Sequence, residues 1–197
     1  MNRPLYALGW SYVALCGLLL AIARMQPVPA PVPQGRPPAH HHEPSPGEGG
    51  QWFAGMKPFC NAVEVEVRQQ HVPPPATVDG AGYSAACYAL AGKIDQARKV
   101  IDRLPPNQRS QAAAIVFGVG HPVADAGDDQ SAGPIMRLVI DYQPDNYMAL
   151  YHAGMSEFIL GQADFARTHL KQFMALYPSE DGWRANARDV LTRLGEQ

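Results

Sequence analysis

The sequence predicts an all-α protein. It reads as an α-solenoid of about three helix hairpins, with an extra N-terminal helix, a C-terminal capping helix and one N-terminal transmembrane helix. Three observations carry this reading. Tyr147–Glu180 holds two amphipathic helical patterns that meet at Gly161. Its small-residue landmarks recur 34 residues upstream, and again 35 residues before that. An uncharged apolar run, Leu5–Ala23, lies near the amino terminus, ahead of a proline-rich stretch.

In the best-marked unit, Leu150, Tyr151, Gly154, Met155 and Phe158 recur at spacings of three and four. Ala166, Leu170, Phe173 and Tyr177 do the same after Gly161. This is the 3.6-residue period of one apolar stripe per helix. Gly161 suits a left-handed C-terminal cap, and Pro178 ends the second helix because its ring cannot continue one.

Counted from Tyr147, the small residue at position eight is Gly154 and the turn glycine at fifteen is Gly161. Ala166 falls at twenty, Leu170 at twenty-four and Pro178 at thirty-two. The same landmarks upstream are Gly120, Gly127, Ala132 and Pro144, and before them Ala85, Gly92 and Ala97, with Tyr88 at position eleven. The unit closely resembles the tetratricopeptide repeat, or TPR. It departs at position four, where Leu150 replaces the usual Trp, and Phe173 stands where a small residue is commoner. A single hairpin cannot bury its apolar faces, so three units in phase across Val78–Glu180 imply a stack.

Taken in order, Leu5–Ala23 would span about 28 Å as a helix, near the hydrocarbon thickness of a bilayer. An uncleaved anchor is the expected reading, and Ala21-Ile22-Ala23 leaves a cleaved signal as the alternative. A short first flank and a large following domain fit export of the C-terminal part, to the extracytoplasmic or periplasmic side. Residues 1–24 are therefore anchor or signal, 25–50 a disordered linker and 51–197 the repeat domain. Eight of the 19 prolines lie between Pro27 and Pro46, which favours a semi-rigid spacer. His40, His41 and His42 sit in that spacer without a fixed geometry for metal binding.

Order is expected from about Gln51, with Trp52, Met56, Phe59, Val63 and Val67 on one helical stripe and Glu64 paired with Arg68. The first repeat places helices near Gly82–Ala91 and Ile94–Leu104. In the second, Gly118, Gly120 and Pro122 predict a bend or break near His121. Its second helix is expected to start with Ser131 as N-cap. Trp183, Ala187, Val190, Leu191 and Leu194 form the capping helix, with Gly195 as its stop. Cys60 and Cys87 fall on neighbouring helices, so either a disulfide or two buried thiols is open there.

The chain lacks G-x-S-x-G, H-E-x-x-H, P-loop, GxGxxG and CxxC patterns. No catalytic residue, cofactor or metal ligand is assigned from sequence. A formal charge of −2 gives no general drive toward nucleic acid, and none is expected as a partner. One polar cluster stands out, His121 with Asp125, Asp128 and Asp129; its bland reading is a solvated turn. His152 and His169 read as surface or rim residues.

The TPR resemblance implies a concave groove, lined by the first helix of each repeat, that binds another protein. By position, Phe117, His121 and Asp125 come from the second repeat. Met148, Tyr151, Met155 and Phe158 come from the third. Tyr151 and Met155, with Phe117, would form its centre. The Lys, Arg and Asn that clamp a partner's C-terminal carboxylate are missing from those positions. The expected function is a membrane-anchored interaction scaffold, an accessory or assembly subunit of a membrane or envelope complex. The alternative is a metal-handling protein or enzyme built on the cluster around His121.

Overall fold

Apolar residues at helical spacing mark the paired helices of the described region. The computed structural model describes residues 47–195, and among them there are nine α-helices, one short 3-10 helix and no strand. Helix α1 spans Glu48–Met56 and α2 Val65–His71, joined through the 3-10 turn Lys57–Phe59. Three hairpins follow: α3 (Val78–Leu90) with α4 (Ile94–Asp102), α5 (Pro106–Asp125) with α6 (Asp129–Ile140), and α7 (Tyr147–Ile159) with α8 (Ala163–Leu176). Helix α9, Gly182–Arg193, comes last. The chain is all-α in this region, as the periodicity requires. The anchor segment Leu5–Ala23, the spacer prolines and His40–His42 lie outside the described residues. Among the described residues, no helix is long and apolar enough to cross a membrane.

The hairpin turns share one device. Gly92, Gly127 and Gly161 each take positive φ, at 72°, 89° and 72°. That left-handed conformation is strained for other L-residues and free for glycine. Nine residues beyond each glycine sits a large side chain with no exposure: Ile101, Met136 and Leu170. The small residues Ala97, Ala132 and Ala166 are likewise at 0 % exposure, where each second helix meets its first. In the third hairpin Gly154 supplies the space that Leu170 fills; a Cβ there would lie 2.7 Å from Leu170 Cγ.

Successive hairpins pack on one another, α3 against α5 and α6 against α7, with α1 against α3 at the N-terminal end and α9 against α8 at the other. One core runs through α3 to α7 around Ile101, Val116, Met136 and Leu138. A second joins α7, α8 and α9 around Leu150, Tyr151, Leu170 and Phe173. A third, smaller core sets Phe53 and Val65 against Cys87. A disulfide joins Cys60 to Cys87 and pins the segment between α1 and α2 to α3.

Four expectations are corrected. The stripe from Trp52 to Val67 is not one helix. Asn61 Oδ1 accepts from the backbone N–H of Val63 and Glu64, both at 3.1 Å, and the side-chain-stabilised turn breaks the chain between α1 and α2. Val63 and Val67 are therefore exposed, while Glu64 accepts from Asn61 and Arg68 lies over the Phe59 ring. Helix α3 starts at Val78 because Thr77 caps it, accepting from Gly80 N–H at 3.0 Å. Helix α6 is capped by Asp128, whose carboxylate accepts from Ser131 N–H at 3.0 Å; Ser131 is inside the helix.

The fourth concerns the break near His121: α5 runs through it. Ala112, Val116, Gly120 and Ala124 are buried at four-residue steps along one face. Gly120 is the contact point with α6, since a Cβ there would lie 2.7 Å from Ile135 Cγ2. Pro122 sits in the last turn, and the carbonyl it leaves unbonded belongs to Gly118, which is exposed to water. Tertiary packing here outweighs intrinsic propensity.

Candidate functional site

Helices α5 and α7 are the first helices of adjacent hairpins, and their side chains meet around His121 and His152. His121 and Asp125 are one turn apart on α5, so they share a face. His121 Nδ1 lies 3.5 Å from Asp125 Oδ2. His152 projects from α7 and is 1 % exposed. Its Nδ1 lies 2.8 Å from Asp129 Oδ1, and its Nε2 lies 3.6 Å from Asp125 Oδ1. One ligand atom from each of His121, Asp125 and His152 can be chosen so that all lie within 4.8 Å of one another, the separation of groups that could share a metal ion.

Aromatic rings wall this cluster. Phe117 stacks on His121 at 4.7 Å between centroids. His121 and His152 meet edge to face at 5.1 Å. Tyr151 and Trp183 close the far side of His152 at 5.1 and 5.6 Å. Burial lowers the pKa of His121, reinforced by the neighbouring His152 and opposed by Asp125, which favours the neutral ring. His121 Nε2 and His152 Nε2 are buried with no hydrogen-bond partner among the described residues.

The groove residues separate into two groups. Phe117, His121, His152, Tyr151 and Trp183 form one continuous row of rings across α5, α7 and α9. Tyr151 is at its centre but only 3 % exposed, covered by Trp183 and Phe173. Burial raises its pKa. Met148, Met155 and Phe158 are half-buried on α7 and pack at the edge of the second core. Asp125 is exposed.

Two side chains of this cluster were misplaced from sequence. His152 is a buried member of it and not a rim residue. Asp128 is no part of it; it is an exposed helix cap. The signal that could have found His152 was its place on the first helix of the third hairpin, which packs on the second hairpin. Trp183 was legible only as an apolar residue of the cap.

A second network lies deeper. Glu157, at 0 % exposure, accepts from His169 Nδ1 at 2.7 Å and faces Arg137 Nη1 at 3.5 Å. It ties α7 to α8 and α6. At the other end, α2, α3 and α4 border an open cleft of about 870 Å³, lined by Gln69, Thr77, Ser84, Tyr88, Arg103 and Gln108 among others.

No protein-family model, curated protein or solved structure matches this chain.

Proposed function

We propose that this chain is a membrane-tethered scaffold built from TPR-like repeats, which holds a partner protein against the α5–α7 face. The observation that carries the reading is the register of the three hairpins. Turn glycines, small residues and plugging residues repeat together at positions fifteen, twenty and twenty-four. Such a stack presents its first helices side by side and makes one extended binding surface. Met148, Met155 and Phe158 with Phe117 offer that surface large, adaptable apolar groups, the kind that anchor a partner.

The Cys60–Cys87 disulfide supports the localisation part of the proposal. Disulfides persist in oxidising compartments, so the repeat domain belongs on the extracytoplasmic, periplasmic side, with Leu5–Ala23 as a single-pass anchor. The role this fits is an accessory or assembly subunit of a membrane or envelope complex.

The test is recovery of native partners by the full chain, purified from its own membranes. Met155→Ala and Phe158→Ser are the informative variants, because neither residue is fully buried. Loss of a discrete partner from both variants, with unchanged thermal stability, is the expected result. Undiminished recovery of every partner would refute the groove.

A further inference from the structure

We propose that His121, Asp125 and His152 bind one divalent transition-metal ion of the zinc class at the seam between α5 and α7. This goes beyond the scaffold reading and does not depend on it.

The donor types come first. Two imidazoles and a carboxylate suit zinc and its neighbours in the first transition row, whereas calcium and magnesium demand a cage of oxygens. Geometry follows. The 2.8 Å contact makes His152 Nδ1–H the donor to Asp129, which fixes the tautomer and leaves Nε2 with a free lone pair. That Nε2 is buried, has no hydrogen-bond partner among the described residues, and lies 3.6 Å from Asp125 Oδ1. His121 Nδ1 stands 3.5 Å from the other oxygen of the same carboxylate. These separations are long for charge-assisted hydrogen bonds, which fall at about 2.7–2.9 Å. The two nitrogens thus face the two oxygens of one carboxylate, and with one donor atom taken from each residue the three lie within 4.8 Å of one another, so small side-chain rotations bring them to the spacing of about 3.4 Å around a tetrahedral ion with bonds of about 2.1 Å.

An imidazolium bridging Asp125 and Asp129 is the competing explanation. It would draw both carboxylates into short contacts, and only Asp129 makes one. Charge favours the ion as well. Two neutral rings, Asp125 and Asp129 together carry two negative charges, which one divalent cation balances. Phe117 and Trp183 shield the site from two sides, while exposed Asp125 gives an ion a way in. Three protein donors leave a fourth position for water or for a donor from a bound partner. The ion would join the second and third hairpins where their first helices meet.

Zinc binding to the metal-free, full-length chain in detergent tests this. His40, His41 and His42 are replaced by Ala throughout, so that spacer imidazoles contribute nothing. About one zinc ion per chain is expected, together with the intense visible bands of four-coordinate cobalt when Co2+ is substituted. Asp125→Asn and His121→Gln should each weaken binding by more than tenfold. Asp129→Asn removes no ligand and should weaken it about 10- to 100-fold, by freeing the His152 tautomer. Asp125 is exposed, so its Asn variant retains the fold and decides the matter even where a histidine variant does not. Failure to retain zinc, equal affinity in the Asp125→Asn chain, or a six-coordinate cobalt spectrum would each overturn the site.

Discussion

Replacing Gly133 by Ala should destabilise the domain although alanine is the better helix former. Gly133 lies inside α6, buried against α7. A Cβ built there would overlap Ser156 Oγ and stand 2.5 Å from Ser156 Cβ. Rotating the serine relieves the first contact only; the second is set by the backbone of α7, so the helices must separate by about 1 Å to reach ordinary van der Waals contact. Overpacking of this kind costs about 1–3 kcal/mol, and this contact belongs at the upper end. The propensity gain of Gly to Ala returns about 1 kcal/mol. The net loss is about 2 kcal/mol, a fall in Tm of about 4–8 °C for a chain of this size. Gly118 is the matched control: it is helical, exposed and has nothing within 4 Å of its would-be Cβ. Gly118→Ala should therefore stabilise by up to about 1 kcal/mol. Urea and thermal unfolding followed by circular dichroism measure both. Ser156→Gly moves the small residue to the other side of the seam, and combined with Gly133→Ala it should recover most of the loss through coupling between the two sites. A neutral Gly133→Ala, or strict additivity with Ser156→Gly, would refute the close approach of α6 and α7.

Other outcomes follow from single contacts. Reducing the disulfide, whose cysteines are 27 residues apart, should lower unfolding free energy by about 3.5 kcal/mol on the chain-entropy account; urea midpoints with and without reductant check it. Asn146 caps α7 by accepting from Ala149 N–H at 3.0 Å, so Asn146→Ala should cost about 1 kcal/mol in the same assay. The Tyr142 pKa is pushed up to about 12 from 10.0 by burial and by Asp102, which accepts from its hydroxyl. The unfolded chain then loses the phenolic proton first as pH rises, so this contribution is intact below pH 10.0 and disappears toward about 12. Tyr142→Phe should flatten that alkaline loss and remove one late-titrating tyrosine from the phenolate absorbance, and Asp102→Asn should move that same titration down.

The helical class, the three hairpins and their turns were legible because Gly92, Gly127 and Gly161 mark both the chemistry and the spacing of the turns. The cysteine pair was visible as a possibility because an extra N-terminal segment is expected to cover the first hairpin, although Cys60 lies just past the 3-10 turn and not on a helix. Local rules failed where side chains decide. Asn61 makes a turn inside an apolar stripe, and Asp128 outcompetes Ser131 as a cap. They failed again at Gly120 and Pro122, where packing against Ile135 holds α5 helical. Of the candidate site, His121 and Asp125 were readable as members of one polar cluster and as positions on the first helix of the second repeat, although the unbroken helix that puts them on one face was not. His152 was not, because its burial depends on α9, whose Trp183 stands over it.

The proposed partner face is tested most directly by position-specific photo-crosslinking in native membranes. A photoreactive side chain replaces Met155 on α7 or, as the comparison, exposed Thr168 on α8. A scaffold that holds its partner on the α5–α7 face yields a discrete crosslinked protein from position 155 and none from position 168. Equal crosslinking from both positions, or a product from 168 alone, would contradict it.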